Sequence, residues 1–416
     1  MVCDLSQGHF ARSSSIISNN RSKATNSFLI FTFFAKVINS LFYICKNQVL
    51  DALKKILLII LSCLLSDFLF SQEVATPAIN PIMDVHGYYG FVVAHHKSMM
   101  HLTSSHFPGV EVCIASQTNG KQLWEQLYKY PQKGIGIFYS PLGGSKMLGN
   151  VVAVYPYLNF NLTHGRKINL YFRFACGLGY LTKRFDAATN YKNIAIGSHV
   201  NAFLQIMYEM RWSLSKRLTL MAGIEMSHLS NGAFKAPNLG INIPTVNVGL
   251  SYQLHKEPAV LLKNEIPIYD KRWQYTVMGH VGVSELYPAN GKKYTAYILT
   301  GYFMKPLGLK RKIGAAVDVF FDNAIAEVMR RNDIIIGNKL ETIKAGVSFV
   351  YEMNFSHLSF VAQIGGYLIA KDKSDGYVFD RVALNYTFKK HYVVQLGLKT
   401  HLTTADMVEV GFGYRF

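Results

Sequence analysis

The sequence predicts an all-β protein, an antiparallel transmembrane β-barrel, on three observations. Half of the 416 residues are apolar, but only 16% are charged. Tyr, Phe and Gly number 25, 27 and 32, which favours short strands and tight turns over helices. Beyond about Ile82, apolar residues alternate with small or polar ones in one segment after another. The chain lacks the regular succession of strands and helices that is typical of a large soluble α/β enzyme.

The alternation is clear between Ile168 and Tyr180, where one set of side chains is apolar and the other is small or polar apart from Tyr171. Residues 217–230 and 245–254 repeat this division. A soluble sandwich would leave its second face richly charged, whereas here that face is mostly Gly, Ala, Ser and Asn. We therefore expect the apolar face to meet lipid and the other face to line a barrel lumen.

The N-terminal segment does not show the strand-like alternation of the rest of the chain. Lys54 and Lys55, the apolar run 56–70 and Ser71–Glu73 predict a signal peptide at residues 50–72. Residues 1–49 are then expected to be a spurious or disordered extension, with a membrane anchor as the alternative, because residues 26–45 are mostly apolar, although Lys36 interrupts them. Export leaves Cys113 and Cys176, which fall on opposite faces, so no disulfide is expected.

The mature chain repeats itself. We interpret residues 73–256 as one barrel half and residues 257–416 as a degenerate second copy, joined by the polar stretch His255–Trp273. Two tandem 8-stranded barrels and one larger barrel of about 14–16 strands both fit this pattern. The final segment, VEVGFGYRF, resembles the last strand by which the outer-membrane assembly machinery recognises its substrates.

The formal charge of +18 indicates an anionic partner. No zinc-finger spacing or RNA-binding motif supports a nucleic-acid partner, so phosphorylated lipid is the favoured class. His95, His96, His101 and His106 lack convergent ligand spacing, and we expect an exposed loop there rather than a metal site.

The stretch HLSNGAFKAPNLGIN, residues 228–242, interrupts the alternation with polar and turn-forming residues. Counting by twos places His228, Ser230 and Asn242 on the outward face, at one end of the barrel. Polar groups there are costly unless they lie at the interface or carry a function. A histidine two residues before a serine can act as its general base, and Asn242 is the candidate to hold the imidazole. Taken alone, a His-x-Ser pair is more often part of a turn.

This stretch resembles the signature of the PagL-like lipid A 3-O-deacylases, or acyloxyacyl hydrolases, which are outer-membrane barrels. Their pattern is His-x-Ser-Asn, then Pro-Asn-x-Gly, then an acid two residues after the glycine. The resemblance implies that His228 is the base, that Ser230 is the nucleophile, and that Asn238 forms the oxyanion hole with a backbone amide of Gly232 or Ala233. It also implies removal of an ester-linked acyl chain from lipid A, the lipid portion of lipopolysaccharide in the outer leaflet, without a cofactor or metal.

The resemblance also directs attention to the residues around the motif. Asn231 and Lys235 are the expected substrate contacts, and Lys183 and Arg184 could attract lipid A phosphates. For any single cation, a place in an interfacial charge belt is the simpler interpretation. The family's usual Glu falls on Asn242, which can orient a histidine but cannot stabilise an imidazolium as a carboxylate would.

Other parts of the chain offer little replacement for the missing acid. Glu225 and Glu209 fall on the inward face.

In the second copy, His401 and Thr403 stand where the motif's His and Ser would be, but a one-residue shortening turns them inward. We therefore expect the second half to be structural or to have a separate transport or binding role. The alternative for the whole protein is a non-catalytic porin or scaffold that retains a degenerate motif.

Overall fold

Two closed antiparallel barrels make up the computed structural model, which describes residues 81–416 except 104, 145, 166, 256–259 and 403. Strands β1–β8 form the first barrel and β9–β16 the second. This confirms the tandem 8-stranded arrangement and excludes one larger barrel. The predicted extension at 1–49 and the signal peptide at 50–72 lie outside the described residues. No helix among the described residues is long and apolar enough to span a membrane.

The first barrel comprises β1 (Pro81–Gly90), β2 (Phe107–Gln117), β3 (Gln132–Ser140), β4 (Val151–Asn161), β5 (Ile168–Leu181), β6 (Val200–Ser213), β7 (Leu218–Ser230) and β8 (Ile241–Gln253). The second comprises β9 (Gln274–Glu285), β10 (Lys293–Pro306), β11 (Arg311–Asp322), β12 (Ile343–Phe355), β13 (Leu358–Ile369), β14 (Val378–Phe388), β15 (Tyr392–His401) and β16 (Thr404–Arg415). Outside the strands lie helices α1 (Leu123–Leu127) and α2 (Asn323–Arg331) and the 3-10 turns Lys97–Leu102, Leu142–Gly144 and Lys339–Thr342.

The barrel walls expose apolar side chains and cover polar ones. On β8, Val246 and Val248 are 58% and 64% exposed, whereas the intervening Asn247 is 3% exposed. Strand alternation explains this division, because neighbouring residues point to opposite faces. An exterior of this kind is stable in hydrocarbon, so the wall has the chemistry of a transmembrane barrel.

Each lumen is filled by buried charged side chains that are paired. In the first barrel, Arg173 contacts Glu111, and Arg211 bridges Asp84 and Glu209 at 3.2 and 2.6 Å. Such pairing is required, because an isolated charge in this environment would be strongly destabilising. In the second barrel, Arg381 occupies the corresponding place between Asp318 and Glu409. Since these central side chains are covered, neither lumen has the open, water-filled form of a porin.

The barrel faces that the sequence predicts for Cys113, Cys176 and His401 are confirmed. Cys113 is buried in the lumen, Cys176 lies on the outer side of its strand, and both are free thiols. His401 faces the second lumen, where its Nε2 lies 2.9 Å from the Tyr367 hydroxyl. Its predicted neighbour Thr403 lies outside the described residues.

The connections of the first barrel differ in length between its two ends. The end that carries the motif also carries most of the longer connections, whereas β4–β5 and β6–β7 turn tightly at the other end. Outer-membrane barrels have long loops outside the cell and short turns in the periplasm. The motif-bearing end is therefore the one expected to face the outer leaflet. The connections at this end are 91–106, 141–150, 182–199 and 231–240.

Candidate active site

Strands β7 and β8 bring His228 and Asn242 directly opposite each other. The imidazole Nδ1–H of His228 donates to Asn242 Oδ1 over 2.6 Å. His228 continues the outward row of Met226, which is 44% exposed, while Ser227 between them is covered. The two-residue period of the strand thus places this pair on the outer wall, as the sequence predicts.

His95, which lies in an exposed loop as the sequence predicts, completes the contacts of this pair. The side-chain amide of Asn242 donates from Nδ2 to His95 Nδ1 over 3.2 Å, and His95 Nε2–H donates to the Leu239 carbonyl over 2.8 Å. These bonds turn Asn242 Oδ1 toward His228. His228 then carries its proton on Nδ1, which leaves Nε2 with a free lone pair. No sequence signal links His95 to Asn242, because 147 positions separate them.

Ser230 lies at the end of β7 beneath two hydrogen-bond donors. Asn238 Nδ2 lies 3.0 Å and the Gly232 backbone N–H nitrogen 3.1 Å from Ser230 Oγ. The Asn231 N–H donates to Asn238 Oδ1 over 2.9 Å, which fixes the amide with Nδ2 toward the serine. Among the described side chains, no hydrogen bond joins Ser230 to His228. The Ser230 hydroxyl instead donates to Asn238 Oδ1 over 3.3 Å. Hydrogen bonds between a nucleophile and its base are often formed only in the substrate complex.

The donor at Gly232 belongs to a tight turn. Gly232 and Ala233 have φ values of +62° and +63°, and Phe234 N–H donates to the Asn231 carbonyl over 3.2 Å. These are the features of a type I′ turn. The Asn231 side chain supports the turn by bonds to Ser198 Oγ and to the backbone of Lys235. Its expected contact with substrate stays a prediction.

The backbone of Gly240 lies close to the His228 ring. Its φ is +81°, and a Cβ added there would lie 2.9 Å from His228 Cε1. The glycine of the Pro-Asn-x-Gly motif thus allows both the left-handed backbone and the close approach of the imidazole.

The two nearby glutamates point into the lumen, as expected from their parity. Glu225 bonds to the hydroxyls of Ser227 and Thr245, and Glu209 bonds to His86 and Arg211. Neither side chain is placed to replace the carboxylate that is missing at Asn242.

Cationic side chains lie around the motif on the long-loop end. Burial lowers the pKa of Lys235, and the charges of Arg184 and Lys293 lower it further. The Lys183 side chain is bound to another loop, because its ammonium donates to the Lys146 carbonyl over 2.6 Å. A phosphate placed among these cations would relieve their mutual repulsion.

An apolar groove of about 630 Å³ runs along the outer wall next to the site. It includes Met226, two residues before His228 on the same face of β7. A groove of this size and lining can hold a hydrocarbon chain. Its other apolar lining side chains are Tyr89, Phe91, Ile206, Tyr208, Ile224, Pro244 and Val246.

One group of potential metal ligands occurs among the described residues, namely His86, Glu111 and Cys113 in the first lumen. Arg173 contacts both Glu111 and Cys113. A guanidinium already supplies the positive charge there, so the group does not fit a metal ion. The rings of His95 and His96 are neighbours, with centroids 4.9 Å apart, but His101 bonds to the Lys192 carbonyl and His106 stacks on Tyr89, so the four histidines do not converge.

Comparison with known proteins matches one family model to each barrel. A family model described as lipid A 3-O-deacylase (PagL) matches residues 112–251, and one described as acyloxyacyl hydrolase, C-terminal domain, matches residues 273–416. The crystal structure of the outer membrane enzyme PagL is 16% identical with a TM-score of 0.27, over 40% of this chain and 97% of that one. Neisserial surface protein A is 7% identical with a TM-score of 0.30, over 42% and 97%.

The search of curated proteins finds no match. The two family models together match well over half of the chain, one on each barrel. The chain therefore belongs to the PagL lipid A 3-O-deacylase family.

Proposed function

We propose that this protein is a serine esterase that removes an ester-linked acyl chain from lipid A. The observation that carries the proposal is the convergence of Asn238 Nδ2 and the Gly232 N–H on Ser230 Oγ, beside the His228–Asn242 pair. This arrangement contains a nucleophile, a base with its orienting group and two oxyanion donors. Family membership supports the choice of lipid A as substrate.

In the proposed reaction, the Ser230 hydroxyl turns toward His228 Nε2 and loses its proton to it as Oγ attacks the ester carbonyl carbon. The carbonyl oxygen becomes an oxyanion, which takes the place of Oγ near the Asn238 and Gly232 donors. Collapse breaks the ester C–O bond, and His228 returns its proton to the departing lipid alkoxide. His228 then deprotonates a water molecule that attacks the acyl-serine, which releases the fatty acid and restores Ser230.

The outward position of the site suits a substrate that is itself a membrane lipid. The acyl chain would lie in the groove beside Met226, with its ester at the level of Ser230. The phosphates would lie above it among Lys235 and Arg184. No passage through the lumen is needed.

The alternative is a non-catalytic barrel. A porin is disfavoured because Arg173 and Arg381 with their partners fill the two lumens. A scaffold without activity would show the same fold, so the choice rests on an activity measurement. Insertion by the outer-membrane assembly machinery is a separate prediction from the final strand.

The test compares the exported chain with two serine variants in a Gram-negative host. Mass spectra of extracted lipid A are expected to show loss of one hydroxyacyl chain with the parent and no loss with Ser230→Ala. Ser227→Ala is the matched control, because Ser227 lies on the same strand but faces the lumen. Unchanged lipid A in the presence of a folded parent barrel, as judged by heat-modifiable gel mobility, would contradict the proposal.

A further inference from the structure

The second barrel contacts the turn that carries the Gly232 donor. The Glu285 N–H, at the end of β9, donates to the Ala233 carbonyl over 2.9 Å. The Lys293 ammonium donates to the Phe234 carbonyl and lies 3.7 Å from the centroid of the Phe234 ring. Glu285 and Lys293 also pair with each other at 3.4 Å. Two consecutive carbonyls of the turn are thus bound by the neighbouring barrel.

The wall of the second barrel also touches the turn by direct packing. A Cβ added to Gly232 would lie 2.3 Å from Val408 Cγ2 and 3.0 Å from Leu398 Cδ1. The backbone of Gly232 therefore rests against β15 and β16, with no space for a side chain.

The conformation of the turn is one that requires support. Ala233 has a φ of +63°, in the left-handed region that non-glycine residues rarely adopt. Such residues persist where their surroundings hold them. Here the bond from Glu285 holds the carbonyl of that same residue, and the Glu285 side chain is itself anchored by the Asn290 N–H over 2.8 Å.

We propose that the second barrel positions the active site, with Lys293 as the main positioning residue. The second barrel holds the turn so that the Gly232 N–H stays directed at Ser230 Oγ. This inference rests on the proposed esterase function, and it assigns a role to the half of the chain that carries no motif of its own.

The kinetic signature follows from what an oxyanion donor does. Such a donor bonds more strongly to the transition state than to the bound ester, so its displacement lowers kcat and leaves KM nearly unchanged. A Lys293 that bound lipid phosphate instead would act on the ground state, and its loss would raise KM. The two roles therefore differ in a measurable way.

The test uses the full chain with Lys293→Ala, Lys293→Arg and the adjacent control Lys292→Ala, whose ammonium lies over the Tyr294 ring at 5.5 Å. We expect Lys293→Ala to lower kcat about tenfold with KM within about twofold, because a displacement of about 1 Å or less in an active site has effects of this order. Lys293→Arg keeps the cation and donor and should recover most of the loss. Lys292→Ala should match the parent.

A second measurement does not depend on activity. Amide hydrogen exchange across residues 231–235 should become faster in Lys293→Ala and remain at the parent rate in Lys292→Ala. If the parent itself does not deacylate lipid A, the proposed function fails, and the exchange rates still decide whether the second barrel holds the turn. Unchanged exchange in Lys293→Ala, or an effect on KM alone, would overturn the positioning role.

Discussion

Gly240→Ala provides a direct test of the histidine's placement. The added Cβ would lie 2.9 Å from His228 Cε1 and 3.3 Å from the Leu229 carbonyl oxygen, whereas ordinary contacts begin at 3.4 Å. The imidazole must therefore move by about half an ångström or more, because the Leu229 backbone cannot yield easily. A misplacement of about 1 Å can cost about 10²-fold in rate. We expect kcat to fall between about tenfold and a hundredfold.

The same substitution also strains the backbone. An alanine in the left-handed region costs about 1–2 kcal/mol, and this cost would lower the free energy of unfolding whether or not the imidazole moves. Gly376→Ala is the matched control. Gly376 has a φ of +89°, close to the +81° of Gly240, but no heavy atom lies within 4 Å of its added Cβ. The control therefore carries the backbone cost without the clash.

The measurement combines unfolding in urea from lipid vesicles with lipid A deacylation kinetics. Both variants should lose about 1–2 kcal/mol of stability. Only Gly240→Ala should lose activity when both are assayed well below their unfolding midpoints. A folded Gly240→Ala protein within about threefold of the parent kcat would refute the placement of His228 over this glycine.

Two further predictions concern the groups that orient His228. Asn242→Asp should raise kcat about tenfold in steady-state kinetics, because a charge-assisted hydrogen bond to the imidazolium is stronger than a neutral one by about 1–1.5 kcal/mol. Because an aspartate cannot donate to His95 Nδ1, the substitution is also made in a His95→Ala background. An equal or lower kcat in both backgrounds would count against Asn242 as the orienting group. His95→Ala should lower kcat by about twofold to tenfold, since it removes one neutral hydrogen bond that fixes the Asn242 amide. His101→Ala, in the same loop but bonded to the Lys192 carbonyl, should leave kcat unchanged, and equal losses in both variants would remove His95 from the site.

The outward direction of His228 could be predicted because strand geometry is local. Every second residue of a strand lies on the same face, so the position of Met226 decides that of His228 without knowledge of the rest of the chain. The same rule placed Glu225 and Glu209 in the lumen and turned His401 inward. The choice between two barrels and one could not be predicted, because it depends on whether β8 pairs with β1 or with β9, and both partners satisfy the same alternation.

The sequence by itself determined which residue types stand at the candidate site and which faces its strands present, because both follow from residue type and short spacing along the chain. Only the tertiary structure decided which way the Asn242 amide points and what holds the Gly232 N–H. The first depends on His95, and the second on Glu285 and Lys293 of the other barrel. These contacts join segments that are distant in the chain, so spacing along the sequence cannot reveal them.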